Sequence, residues 1–223
     1  AVLWIVASFM LFVWAGLWVG VAAPLAIILS FFLISFVISR IQEYRERLYF
    51  LSLAARDELT GLYAMRYVST FLSQALTYSR TFRKPFAVIL LDIDDFRKIN
   101  DLYGYRAGDE VLKKTADVIQ NTIRRKGRAM PDIAGRYGEE QFIVLLVGYN
   151  LSAVTFGVAE RVRKTIEGVR FKAGDAEFMV SVSAGVSVLR PGEKHSDAVV
   201  ERARKALLKA KADGKNQTCI MNE

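Results

Sequence analysis

No Lys, Arg, Asp or Glu occurs before Arg40; the chain opens AVLWIVASFMLFVWAGLWVGVAAPLAIILSFFLISFVIS. A helix crosses a bilayer with about 20 apolar residues, so this run has the length for two crossings. Gly20 and Pro24 mark the expected break, which gives a transmembrane helical hairpin over residues 1–39 with Trp18 suited to an interface. Two buried helices of a water-soluble core are the competing reading, disfavoured because core helices seldom run this far without a polar face. No basic segment precedes the run, which argues against a signal peptide. The chain does not begin with Met, so the expectation is a start inside a longer protein.

All 31 basic and 23 acidic residues follow this run. Arg40, Arg45, Arg47 and Arg56 come directly after it, and positive charge beside a span marks the cytoplasmic side. The expected location is therefore the inner (cytoplasmic) membrane, with the charged part in the cytoplasm. Ile34, Val37, Ile41, Tyr44, Leu48, Leu51 and Ala55 alternate spacings of three and four, an a/d seam that predicts a coiled-coil-like stalk over 40–56 and a parallel homodimer. An amphipathic helix packed on its own domain is the alternative. The net charge of +8 raises a nucleic-acid reading, but the basic residues are scattered along helices without interleaved aromatics, and the juxtamembrane arginines suit anionic lipid. No nucleic-acid partner is expected.

One cysteine, Cys219, forbids an intrachain disulfide, and with one histidine, His195, it cannot build a Cys/His zinc site. His195 sits in the polar turn PGEKHSD with no nucleophile motif nearby and reads as a solvated residue before a helix. Any metal must rest on carboxylates. Periodicity predicts helices near 64–81, 106–125, 151–168 and 196–212. Strands are predicted at 86–92, near 132–136, at 141–147, 178–189 and near 217–221, an α/β sandwich with a mixed sheet flanked by helices.

The chemistry starts at LLDIDDFRKIND, where an apolar strand runs into Asp92, Asp94 and Asp95. Strand ends are where α/β sheets present ligands, and hard cations take oxygen ligands there. Helix capping is the ordinary use of such acids; Asp94 or Asp95 is expected to cap the FRKIN turn, leaving Asp92 as the ligand candidate. GRYGEEQFIVLL places Gly138, Glu139, Glu140 and Gln141 at the tip between two strands.

With these residues in view, the chain resembles the GGDEF domain of diguanylate cyclases, itself similar to the palm of class III nucleotidyl cyclases. DELTGLYAMR, LDIDDFRKINDLYGYRAGDEVL, RYGEEQF and ALLKAKADGKN answer the family's four ordered motifs; the resemblance covers about residues 55–222, which places the domain at 57–223. The resemblance implies that two GTP-loaded domains meet face to face and condense GTP to cyclic di-GMP with magnesium or manganese. It implies metal binding by Asp92, Glu140 and the Ile93 carbonyl. Asp92 and Glu140 thereby become the catalytic pair, Gly138 lies beside the nucleotide, Asn100 and Asp109 read guanine, and Lys211 and Lys215 hold the terminal phosphates. Without the other motifs, the two lysines would read as a basic last helical turn complementing the helix dipole.

The chain also departs from the family pattern. Glu139 stands on the signature's second glycine, adding bulk and negative charge beside the nucleotide. Gln141 stands on a glutamate and is a neutral, poorer magnesium ligand. A shifted register, with Glu139 and Glu140 as the two acids, is the alternative alignment. Ala64 and Met65 replace an Asn-Arg pair. Of the product-inhibition motif Asp132 is present, Ala129 replaces the arginine and Arg128 is one residue off, so weak or absent product inhibition is expected. Two functional readings remain: a diguanylate cyclase slowed by Glu139 and Gln141, or an inactive module that binds GTP or a partner domain and regulates.

Overall fold

A computed structural model of the chain describes residues 2–53, 55–123, 130–193 and 195–221, without the side chains of 2, 17–27, 44–53 and 155–156. The chain divides into Ala1–Leu53 and Ala54–Glu223.

The first unit is one helix, α1 (Val2–Leu53). The expected hairpin is corrected: the backbone runs helically through Gly20 and Pro24. Only Val21, Ala22 and Ala23 lie between them, with no Asn, Asp or Ser to build a turn, and a lone proline removes a single helical hydrogen bond. The two expected membrane helices are not found as such. Among the described residues no helix is long and apolar enough to cross a membrane. The expected stalk is also shortened, because α1 ends at Leu53 while Ala55 is buried in the second unit, its carbonyl accepting from Ala64 N–H. The side chains of Tyr44, Leu48 and Leu51 lie outside the described residues.

The second unit follows the α/β expectation. Its elements are α2 (Met65–Phe82), β1 (Phe86–Ile93), α3 (Phe96–Tyr103), α4 (Tyr105–Thr122), β2 (Ile133–Arg136) and β3 (Gln141–Val147). The helical stretch that follows is α5 (Leu151–Val154), a π-helical segment Thr155–Ala159 and α6 (Glu160–Glu167). After it come β4 (Arg170–Ala173), β5 (Ala176–Met179), β6 (Val182–Val188), α7 (Ser196–Ala212) and β7 (Thr218–Ile220). The main sheet has the order β2-β3-β1-β6-β7, with β1 antiparallel to both neighbours and β6 parallel to β7.

All eight residues of β1 are buried, as a central strand covered on both faces requires. Its alternation sorts two cores. Ala87, Ile89, Leu91 and Ile93 pack with Val111, Ile119 and Val162 of α4 and α6. Phe86, Val88 and Leu90 pack with Phe71 and Leu72 of α2 and Ala203 and Leu207 of α7. Period-two geometry then carries Asp92 onto the α7 face, and a one-residue slip would send it to the other side.

Two expectations on elements change. The predicted strand 178–189 is split, since Ala176–Met179 pairs with β4 in a separate hairpin turned at Gly174, whose φ is +61°. The predicted helix 106–125 begins at Tyr105, after Gly104 (φ 83°) closes a distinct α3. Residues 124–129 lie outside the described ones. His195 is exposed and directly precedes α7.

Candidate functional site

Three strand ends and the last turn of α7 converge on Asp92. In the sheet register Asp92 faces Gln141 of β3 on one side and Ser183 of β6 on the other. Its side chain is fully buried. Gln141 Nε2 donates to Oδ2 at 2.8 Å, and Lys211 Nζ lies 2.6 Å from Oδ1 as an ion pair without the alignment of a hydrogen bond. The helix reaches this close because β6 presents a glycine beneath it: a Cβ on Gly185 would lie 2.1 Å from Ala203 O and 2.3 Å from Leu207 N. No side chain fits between α7 and the sheet there.

Glu140 is brought to the same place by the β2–β3 turn, where Ile93 N–H donates to Glu140 O. Burial pushes its carboxyl above the ordinary value and the charge of Asp92 adds to that, while Lys211 pulls it back. The two acids predicted as a pair therefore share a field, and they lack a full complement of positive charge.

The tip itself is clamped by residues to which sequence reasoning gave no role. Arg136 donates through Nη1 to Asp57 (3.2 and 3.3 Å), through Nε to Gly138 O (3.2 Å) and through Nη2 to Glu139 O (2.8 Å). Burial raises Asp57, but hydrogen bonds from Thr60 and the nearby Arg136 outweigh it, so its carboxyl lies below the ordinary value. The available signal was that Asp57 and Arg136 sit inside the quoted DELTGLYAMR and RYGEEQF strings.

A second close approach lies between α3 and α4. Gly108 of α4 faces Asn100 of α3, since a Cβ there would lie 2.0 Å from Asn100 Oδ1. That oxygen is buried without a hydrogen-bond partner, and Asp109, the next residue, is exposed.

Lys215 sits in the turn after α7 with φ 64° and donates to Asp95 Oδ2 at 2.7 Å. Asp95 also pairs with Lys98, and these two cations, Lys215 first, hold its carboxyl down to about 2. The expected capping role is corrected for both acids. Asp95 occupies the N-cap position of α3 but makes no side-chain cap bond, because its left-handed backbone (φ 54°) turns it to the lysines. Asp94 is buried and accepts from Ser181 Oγ, Ser183 Oγ and Asn216 N–H, tying β6 to the Lys215 turn. Asp132 is buried too, and accepts from Tyr149 Oη at 2.6 Å. Arg128 and Ala129 lie outside the described residues.

The donor set suits a hard cation in part. Asp92 Oδ1, a buried carboxylate oxygen with no hydrogen bond, Glu140 and a main-chain carbonyl at Ile93 are oxygen ligands of the kind magnesium takes alongside substrate phosphates. Gln141 occupies the other Asp92 oxygen. Among the described residues no group of three His, Cys, Asp or Glu side chains gathers to hold a metal. The arrangement thus brings two carboxylates, Asp92 and Glu140, and Lys211 together, with the Lys215–Asp95 pair on the turn that follows α7.

Known proteins share this sequence pattern and this fold. The profile described as "Diguanylate cyclase, GGDEF domain" matches residues 54–217. Diguanylate cyclase A of Treponema denticola is 35% identical over 173 residues, 76% of this chain and 45% of that protein. The response regulator PleD of Caulobacter vibrioides is 34% identical over 168 residues, 74% of this chain and 36% of its own length. The chain thus spans less than half of these curated relatives. The GGDEF domain of DgcB from Caulobacter crescentus, solved in complex with c-di-GMP, superposes with a TM-score of 0.69 at 29% identity, covering 75% of this chain and 95% of that one. On the matched profile, the relatives and the shared fold, the chain belongs to the GGDEF family of diguanylate cyclases.

Proposed function

We propose that this chain binds GTP and condenses two molecules of it to cyclic di-GMP, at a rate lowered by Glu139 and Gln141. The observation that carries the reading is the convergence of Asp92, Glu140 and Lys211, with Lys215 on the turn that directly follows α7. Each 3′-hydroxyl attacks the α-phosphorus of the other GTP, two P–O ester bonds form, and two pyrophosphates leave. Such transfers depend on positioning and charge neutralisation more than on covalent help from the protein. Asn100 and Asp109 read the guanine edge, and Lys211 and Lys215 offset the charge of the terminal phosphates. Asp92, Glu140 and the Ile93 carbonyl would hold magnesium or manganese, which supplies Lewis-acid neutralisation of phosphate charge when bound.

The site is complete only between two chains, since each nucleotide is attacked by the other's. Ile34, Val37 and Ile41 of α1 are about half exposed and suit a parallel pairing of stalks. Leu3, Trp4 and Phe12 of the same helix are more than three-quarters exposed, which supports attachment of α1 to the cytoplasmic membrane with the GGDEF unit in the cytoplasm. Product inhibition is weak in this reading, because Asp132 is engaged with Tyr149.

A second reading has its own observation: the Gln141–Asp92 hydrogen bond occupies a metal-facing oxygen, as in a module that binds nucleotide and regulates without turnover. Incubating the full chain with GTP and manganese decides between them. Cyclic di-GMP above the level of an Asp92→Ala control supports the enzyme; tight GTP binding without product supports the regulator. Combining Glu139→Gly with Gln141→Glu raises turnover if the tip is the defect.

A further inference from the structure

Each lysine of the candidate site is already paired, and both partners belong to one short segment. Lys211 Nζ lies 2.6 Å from Asp92 Oδ1, and Lys215 Nζ lies 2.7 Å from Asp95 Oδ2. Asp92 lies one residue from the end of β1 and Asp95 directly precedes α3, so the two carboxylates flank a single turn. Among the described residues no other cation lies on Asp92 or on Asp95 Oδ2; Lys98 takes Asp95 Oδ1. The two pairs differ in setting. Asp92 has 1% of its side chain exposed and Lys211 31%, whereas Asp95 and Lys215 are each 38% exposed.

We propose that Asp92 and Asp95 are resident competitors of the ligands, holding Lys211 and Lys215 in place of phosphate, so that divalent cation and triphosphate bind synergistically and each binds poorly alone. This rests on the GTP reading of the site. The reasoning is electrostatic. A cation arriving alone at Asp92 meets the ammonium of Lys211 on the same oxygen, and like charges at that distance repel. A triphosphate arriving alone must draw both lysines from carboxylates, leaving buried Asp92 without a counter-charge. Arriving together, the cation satisfies Asp92 and Glu140 while the phosphates satisfy the lysines, and every charge keeps a partner. Asp95 takes no part in that exchange except as a competitor: it is exposed, offers one oxygen to Lys215 and keeps Lys98 on the other.

The Lys215 turn is stiff enough for this competition to be specific. Asn216 N–H donates to Asp94 (3.0 Å), its Oδ1 accepts from Arg163 (2.8 Å) and its Nδ2 donates to Glu167 (2.6 Å), so the backbone beneath Lys215 stays in place while the ammonium changes partner. A swinging side chain on a fixed turn loses one ion pair and gains another, with little reorganisation of the fold.

Binding measurements on the full chain test this without relying on turnover. Manganese alone is titrated by electron paramagnetic resonance into the native chain, Lys211→Met and Lys211→Gln. The Met variant is expected to bind manganese about tenfold more tightly, and the Gln variant, which keeps a donor toward Asp92 and guards against misfolding of the first, to move the same way. Inorganic triphosphate and a non-cleavable α,β-methylene GTP analogue are titrated by calorimetry into the native chain and Asp95→Asn. The variant is expected to bind both about two- to fivefold more tightly, the range of a partly exposed ion pair. In the native chain, manganese should tighten triphosphate binding and triphosphate should tighten manganese binding by the same factor. Unchanged or weakened manganese binding in both Lys211 variants, or unchanged or weakened triphosphate binding in Asp95→Asn, overturns the proposal. Failure of the GTP reading shows differently, because the analogue then binds no better than inorganic triphosphate while the lysine competition still registers with the latter.

Discussion

Helix α7 is pinned to the sheet at two points nine residues apart, and the two pins are built differently. Near its start, Arg202 donates through Nε to Ser187 Oγ (3.2 Å), through Nη2 to Val188 O (2.8 Å) and through both terminal nitrogens to Glu193, which also accepts from Arg190 N–H. Near its end, Lys211 reaches Asp92 through a single ion pair, and the acid oxygen it faces has no hydrogen bond. The glutamates beside the pins respond in opposite directions. Burial raises Glu193, but Arg202 and Arg190 overcome it and hold its carboxyl below the ordinary value. Burial and the charge of Asp92 push Glu140 above it. A buried pair whose donors and acceptors are all used belongs to the scaffold; one left short of positive charge is a place for a cation.

The largest test of that contrast is Arg202→Met. It strands Glu193 in a half-closed setting and should remove about 3 kcal/mol of stability, a fall of roughly 6–12 °C in the thermal midpoint followed by circular dichroism. A loss below about 1 kcal/mol would erase the distinction between the two pins. Next comes Gly185→Ala, whose methyl has to push α7 off the sheet. Overpacking of this kind costs about 1–3 kcal/mol, and because Lys211 rides on the displaced helix, triphosphate affinity should fall as well. Stability without an affinity change would show that the far end of α7 is decoupled from Gly185.

The pH response sharpens the comparison further. Glu193 has a depressed carboxyl, so its contribution is present above the ordinary carboxylate value of 4.5 and is lost as pH falls below it. Glu140 has a raised one, so its protonated form favours the fold and stability declines as pH rises through its own titration. Manganese should therefore raise the thermal midpoint more at pH 7 than at pH 4.5, and Glu140→Gln should remove most of that difference. Smallest is Arg136→Lys, which loses the forked grip on Asp57, Gly138 O and Glu139 O. It should weaken nucleotide affinity a fewfold while moving the thermal midpoint by no more than about 3 °C, measured by calorimetry and melting in parallel.

Much of this molecule was written in its sequence because local chemistry and period decide it. The alternation of FAVILLD gives a two-faced strand, and that alone selects which face Asp92 joins. The family resemblance pointed to Asn100, Asp109, Glu140, Lys211 and Lys215, and of these the structure brings Glu140 and Lys211 to Asp92. What sequence could not supply depends on contacts between distant segments. The pairing of Asp92 with Lys211 spans 119 positions and exists only because Gly185 lets α7 lie against the sheet. The clamp from Asp57 to Arg136 and the diversion of Asp94 and Asp95 from capping to ion pairs and serine hydroxyls are likewise tertiary outcomes. The misplaced break in α1 and the unseen β4–β5 hairpin have the same cause: a proline and an unbroken alternation are local signals, and whether a helix bends or a strand changes partner is settled by what the rest of the chain offers to its backbone. Residue types and their periods determined which groups this protein could bring to a phosphate and a divalent ion; close packing of a helix on a glycine-bearing strand decided which of them meet.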